Sequence, residues 1–325
     1  DGSGNLVLGG TMAIGGSGGN TYTGATYVQS GAHVTAEKDD AFGTTKQLDI
    51  ASSADVKIND GFSQTVGALT GEGTLTLGSG AGFTITNKSG NSSDSIVINS
   101  LVSGGSDAAF TIDGAYGESG RAAVSFETAA KLAGTTFRLE NVQFELDSTS
   151  GNNASTAASA DDFVIGSNTQ TTIAADDGSY QFNELSFESG TLAVTGVTLQ
   201  ESGGDAVGTP VINVGTLDVS GSGSLSVAAN IDSSFDILKN DQSQYVSTLI
   251  AFDNLTGDDQ ANLNEAAELA ASEIKNNDDR IVAYVGWSGN VTWNQEAGKS
   301  GGSVGMAYQV ANVQLADADD GSDGL

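Results

Sequence analysis

The chain has 325 residues, with 41 Asp and Glu against 11 Lys and Arg and a formal net charge of −30. A surface this acidic repels phosphate backbones and anionic membranes, so we expect no nucleic-acid partner. The absence of cysteine excludes disulfides, thiolate metal sites and a cysteine nucleophile.

Short strand patterns begin near the N-terminus and recur along the chain. Examples are "YTGATYVQSGA" at 22–32, "LTLGSGAGFTIT" at 75–86 and "GTLAVTGVTL" at 190–199. Apolar and polar residues alternate in each of them, and Gly, Ser, Asn or Asp bound them, which is typical of short β-strands. The single proline, Pro210, fits a chain that is mostly strand, because proline cannot donate to a β-ladder.

One strand pattern changes its parity. "FRLENVQFEL" at 137–146 alternates over Phe137 and Leu139 and then over Val142 and Phe144. This change predicts a corner or bulge near Glu140–Asn141.

The spacing of similar strands distinguishes between the all-β architectures. Gly190 and Gly215 are 25 residues apart, and Ala54 and Gly73 are 19 apart. A period of this size fits one turn of a three-sided parallel β-helix. A β-sandwich also has strands every 8–12 residues and is the alternative fold.

A segment near the C-terminus has a different period. "TGDDQANLNEAAELAASEIKNNDD", residues 256–279, repeats its apolar residues with a period near 3.6, which predicts an inserted α-helix. We therefore expect β-helix over 1–255, a helical insertion over 256–280, and further β-helix with an acidic end over 281–325. The helix either covers apolar surface or projects as a recognition feature.

Paired aspartates are the candidates for metal binding. They occur at 39–40, 161–162, 176–177 and 278–279, in segments with turn composition, where Asp favours local backbone bonds. Calcium takes several oxygen ligands, and Asp161, Asp162, Asp176 and Asp177 form our calcium hypothesis. Calcium is the one cofactor that the sequence leaves open.

Few residues suit catalysis. His33 is the only histidine and lies in a strand pattern that points it to solvent. Arg280, in "NNDDR" at 276–280, is the only arginine beside an acidic pair and gives the single enzymatic candidate. Trp287 and Trp293 share the parity of the apolar residues around them, which favours a core position over a sugar-stacking surface. We expect no catalytic residues.

Several of these motifs resemble one family. "NTYTGATYVQSGA" is similar to the repeated coil motif of bacterial autotransporter passenger domains, and "GTLTL", "GTLDV" and "GNVTWNQEAG" are similar to strand signatures of that family. The resemblance implies a right-handed parallel β-helix that is exported through the outer membrane to the bacterial cell surface. The family's C-terminal membrane barrel has no counterpart here, so we expect a passenger or part of one, in contact with membrane only through that missing barrel.

The resemblance is greatest to self-associating and adhesin autotransporters. It implies a surface adhesin that binds copies of itself on neighbouring cells and promotes biofilm. Binding of a host matrix protein or glycan is the alternative, and a glycan-processing enzyme is the second alternative. A net charge of −30 opposes contact between copies unless one face is less charged, cations bridge the copies, or salt screens them.

Overall fold

The computed structural model describes most of the chain. The described residues are 3–17, 20–87, 95–116, 120–147, 152–201, 209–231, 244–257, 264–269, 281–295 and 300–315. Within them the strands are β1 (Leu6–Leu8), β2 (Thr11–Ile14), β3 (Thr26–Val28), β4 (His33–Ala36), β5 (Leu48–Ile50), β6 (Asp55–Ile58), β7 (Ser63–Val66), β8 (Leu69–Thr70), β9 (Thr74–Leu77), β10 (Gly82–Thr86), β11 (Ser95–Ile98), β12 (Leu101–Ser103), β13 (Ala108–Asp113), β14 (Ala115–Tyr116), β15 (Gly120–Phe126), β16 (Thr135–Glu140), β17 (Val142–Leu146), β18 (Asp162–Ile165), β19 (Gln170–Ala174), β20 (Tyr180–Phe187), β21 (Thr191–Glu201), β22 (Ile212–Asp218), β23 (Ser224–Ile231), β24 (Gln244–Thr256), β25 (Asn264–Leu269), β26 (Ile281–Gln295) and β27 (Gly302–Leu315).

The fold is all-β, and most strands pair in parallel with strands one pass of the chain away. Sheet A contains β1, β3, β5 and β8, and sheet B contains β2, β4, β6, β9 and β12. Sheet C runs from β7 through β10, β13, β16, β18, β20 and β22 to β24, and sheet D runs from β11 through β15, β17, β19, β21 and β23 to β25. Paired residues are between 19 apart, as in Asp55 and Thr74, and 40 apart, as in Ser224 and Asn264.

The parallel register stacks like side chains in rows. Phe83, Phe110, Phe137 and Phe163 occupy one inward row of sheet C, with ring centroids 6.3, 5.8 and 5.6 Å apart. All four are buried, and Phe144 meets Phe137 edge to face from sheet D. Stacked and edge-to-face contacts of this kind add stability beyond the burial of area alone. The apolar members of the strand patterns therefore form the core, as predicted.

The predicted corner lies where the parity of the sequence changes. β16 ends at Glu140, β17 begins at Val142, and Asn141 between them has a φ of 54°. The Asn141 side chain donates to Asp113 Oδ1 at 2.8 Å and accepts from Asn168 Nδ2 at 3.1 Å. Three successive passes of the chain thus share one amide and carboxylate row at this corner, because Asn and Asp tolerate left-handed backbone and bond locally.

A glycine permits the closest approach of two passes. Gly71 has a φ of +86°, and a Cβ at this position would lie 2.1 Å from the carbonyl oxygen of Ile50. Any other residue would clash with that backbone, so this turn requires glycine.

Two of the expected chain divisions are wrong in part. Residues 264–269, in the predicted helical insertion 256–280, form strand β25, which pairs in parallel with β23; residues 258–263 and 270–280 lie outside the described residues. The backbone bonds of that ladder outweigh the local 3.6-residue pattern of an Ala- and Glu-rich segment.

The C-terminal region also differs from the expectation of further parallel coils over 281–325. Strands β26 and β27 are antiparallel to each other, and β27 is antiparallel to β24. Only six residues separate β26 from β27, which suits antiparallel partners, since a parallel crossover needs a dozen residues or more.

A short α-helix lies where no helix was predicted. Helix α1 (Asn153–Ser159) follows β17. Among the described residues, no helix is long and apolar enough to cross a membrane.

Candidate functional site

Sheet B presents a polar outer face with no net charge. We define the neutral face by the ten outward residues of two rows in register: Thr11, His33, Asp55, Thr74 and Leu101, and Ala13, Thr35, Lys57, Thr76 and Ser103. Alternation along each strand turns these side chains out, while their neighbours Val34, Val56 and Leu75 are buried.

The charges of the neutral face cancel. His33 Nδ1 contacts Asp55 Oδ1, and the two side chains are 58% and 44% exposed. His33 therefore faces solvent, as predicted. Lys57 is exposed in the adjacent row, opposite Thr35 and Thr76. The face thus carries Asp55 and Lys57 in a chain of net charge −30.

The outer side of sheet C differs from the neutral face. We define the acidic face as Arg138, Glu140, Asp162, Glu184, Glu188 and Asp218, which is one cation among five carboxylates. Asp162 and Glu184 occupy the same outward row, and Asp218 follows Ser186 in the next. The sequence separates these residues by up to 80 positions, and the parallel register brings them together.

Burial and crowding shift the pKa values of this face. Burial, chiefly, raises the pKa of Asp162, although Ser186 Oγ donates a hydrogen bond to its carboxylate at 2.7 Å. Burial, followed by the charges of Asp162 and Asp218, raises the pKa of Glu184. Arg138 donates two hydrogen bonds to Glu188 and so lowers the pKa of that carboxyl.

Two adjoining cavities form a groove on another side of the molecule. One, of about 590 Å³, follows the entries to the sheet A strands and reaches β11; the other, of about 360 Å³, lies over β15 and β17. Ser95 lines both cavities. We call this surface the groove.

Helix α1 closes one end of the groove. Asn153 is 1% exposed, accepts from the backbone N–H of Phe126 at 2.9 Å, and donates to the carbonyl oxygens of Val124 and Glu145 at 3.2 and 2.9 Å. One amide therefore satisfies three backbone groups of the floor strands. Because Asn153 makes every one of these bonds with backbone, its role is structural, and it fixes the helix against the floor.

The predicted calcium ligands do not form one cluster that the structure shows. Asp161 is exposed, and Asp162 belongs to the acidic face. Asp176 and Asp177 lie in a single turn of 3-10 helix, Ala175–Asp177, where Asp177 is exposed. Within the described ranges, no three Asp, Glu or His side chains are placed to hold a metal ion. Calcium binding at these pairs stays a prediction.

Other sequence candidates have limited outcomes. Asp39 accepts the backbone N–H of Ser63 at 2.7 Å, which is the local bonding expected of a turn aspartate. Arg280 and the pair at 278–279 lie outside the described residues. Trp287 and Trp293 lie in β26, but their side chains are not among those described, so their core position stays a prediction.

Sequence reasoning missed the neutral face and the groove. A signal for the face was present, because Thr11, His33 and Asp55 follow one another at intervals of 22 residues. Aligning the chain on that period would have placed them in one row. The groove depends on small outward residues and on α1, and no motif marks either of them.

Comparisons with protein-family models, with curated proteins and with solved structures find no match for this chain.

Proposed function

We propose that this chain is part of a bacterial autotransporter passenger, displayed at the cell surface as an adhesin that binds copies of itself and has no catalytic role. The passes of the chain would form the coils of a right-handed parallel β-helix. The coil-like motifs in the sequence and the long parallel ladders with offsets of 19 to 40 residues support this proposal.

The neutral face carries the argument for self-association. A chain with a net charge of −30 repels its own copies, so contact is least costly where the local charge is zero. The neutral face meets that condition, and Glu37 and Lys131 at its borders leave the sum unchanged. Its hydroxyl side chains can each donate and accept hydrogen bonds with an identical surface.

The placement of Asp55 and Lys57 suits a two-fold contact. The two residues are separated by one position on β6, so both point outward near the middle of the face. In a two-fold arrangement each residue meets its counterpart's neighbour, which pairs Lys57 of one copy with Asp55 of the other. The single pair of opposite charges is then matched twice.

The face is too small for tight binding by itself. Five strands at ~4.8 Å spacing span only about 20 Å, which gives far less area than the ~800 Å² per partner of a stable interface. Single contacts would be weak, and many copies on two cell surfaces would add them into firm adhesion.

Beads coated with this chain test the proposal. We expect wild-type beads to clump without any partner. Lys57→Asp beads and Asp55→Lys beads should each stay dispersed, since each face then repels its own copy, but the two should clump when mixed. Lys46→Asp makes the same charge change at an exposed position outside the neutral face and should leave clumping intact.

Three outcomes would decide against homotypic adhesion by this face. They are wild-type beads that remain dispersed at every salt concentration, a mixture of the two charge variants that fails to clump, and a Lys46→Asp effect as large as that of Lys57→Asp. Repeating the assay with calcium tests the aspartate pairs. Clumping that requires calcium and is lost in an Asp161→Asn/Asp162→Asn variant would assign the contact to them.

A further inference from the structure

We propose that the groove is a binding site for a neutral polysaccharide. This site is separate from the neutral face, and it would give the molecule a second ligand of a different chemical class. The argument uses the extent of the groove, the side chains that line it, and the state of the backbone beneath it.

The groove is long and narrow. Its lining follows successive passes of the chain from Asn5 through Gln47 and Ser95 to Gln143. Seven passes stacked at ~4.8 Å give a length on the order of 30 Å. That length accommodates an extended polymer of several units.

The lining offers hydrogen bonds of both directions and little charge. The polar side chains belong mainly to the amide and hydroxyl classes: Asn5, Gln47, Thr70, Asn87, Asn99, Ser125, Gln143 and Asn152. Amides and hydroxyls donate as well as accept, and this is the chemistry that matches sugar hydroxyls. Val97, 42% exposed in the same groove, offers apolar contact to the C–H face of a sugar ring.

Charge excludes an anionic polymer. Glu127 and Glu145 line the cavity over β15 and β17, and Lys46 is the one cation that lines the other. An acidic polysaccharide would meet two carboxylates in a chain of net charge −30. A neutral polymer avoids that repulsion, and the carboxylates can accept its hydroxyl protons.

The backbone of the floor argues against an extended peptide. β15 pairs with β11 on one side and with β17 on the other, and β17 pairs with β15 and β19. These strands have no open edge, so a peptide could not add to them as a further strand. Recognition must use side chains alone, which suits a ligand whose own polar groups are hydroxyls.

Binding to a defined panel tests the proposal. The whole chain is immobilised and exposed at physiological salt to three neutral glycans (dextran, mannan and cellohexaose), to hyaluronan and heparin as anionic polymers, and to poly-L-lysine as a basic peptide. We expect at least one neutral glycan to bind and the anionic polymers to fail. Binding of poly-L-lysine alone, or of none of the neutral glycans, would overturn the proposal.

Matched variants locate the site. Ala123 is exposed on the groove floor, so Ala123→Leu should fill the cavity and weaken binding at least tenfold. Ala13→Leu adds the same side chain at an exposed position on sheet B and should change binding less than twofold. Glu145→Ala, compared with Glu37→Ala, removes a groove acceptor and should weaken binding about tenfold or more.

These variants also separate the two proposals. Ala123→Leu beads should still clump, because the neutral face is untouched. Unchanged glycan affinity in both Ala123→Leu and Glu145→Ala would show that the groove is not the binding site, whatever the beads do.

Discussion

The neutral face and the acidic face are built in the same way and have opposite electrostatic character. Both are outer surfaces of parallel sheets in which one register stacks residues from successive passes of the chain. The neutral face carries one carboxylate and one ammonium group, whereas the acidic face carries five carboxylates and one guanidinium. Net charge therefore describes neither face, and the row in which a residue lies determines its partners.

The comparison also shows how each face tolerates its charges. On the neutral face Asp55 and Lys57 are exposed to solvent that screens them. On the acidic face burial raises the pKa values of Asp162 and Glu184, and Arg138 offsets part of the repulsion through Glu140 and Glu188. Folding of the acidic face thus depends on one arginine.

Removing that arginine should have the largest effect on stability. We expect Arg138→Ala to lower the free energy of unfolding by about 1–2 kcal/mol, since it breaks a charge network that is only partly exposed to solvent. Lys57→Ala on the neutral face should cost at most about 0.5 kcal/mol. Urea unfolding of both variants measures the contrast, and equal losses would show that the two faces do not differ energetically.

The sequence supports part of this picture and leaves out the rest. Alternation identified Phe137, Leu139, Val142 and Phe144 as core and located the corner at Asn141, because both are local properties of the chain. The acidic face joins residues from strands 22 to 34 positions apart, at intervals that vary from pass to pass. Variable intervals hide the register, so Asp162 could be named without its neighbours.

Helix α1 shows a second limit of sequence reasoning. Its seven residues, "NASTAAS", have no apolar stripe, and its buried side chains include Asn153 and Thr156. They bond backbone groups of earlier passes, such as the N–H groups of Phe126 and Ala130. A helix that is held by polar contacts with distant backbone leaves no amphipathic pattern to detect.

Relieving the repulsion should have a smaller effect of opposite sign. Glu184→Gln keeps the size of the side chain and removes one of the crowded charges. We expect it to stabilise the fold by about 0.5 kcal/mol at pH 7. Asp55→Asn on the neutral face removes a carboxylate that contacts His33 and should not stabilise. Thermal unfolding of the two variants at one pH checks the difference, and a stabilised Asp55→Asn would contradict it.

The pH dependence of that gain is the finest test of the comparison. The pKa of Glu184 is raised above its ordinary value of 4.5, so the folded state binds this proton more tightly than the unfolded chain does. The stability that protonation supplies is complete below the ordinary pKa and is lost as pH rises through the raised one. Glu184→Gln removes this dependence, so its advantage at pH 7 should shrink as the pH falls and vanish near pH 4. Glu188 has the opposite sign: Arg138 lowers its pKa, and its stabilisation is lost only as the pH falls through that lowered value. Glu188→Gln should therefore destabilise the fold at pH 7, and its cost should persist below the pH at which the Glu184→Gln gain has gone. Parallel profiles for the two variants would mean that the carboxylates of the acidic face respond as one diffuse charge, without the roles that their neighbours give them.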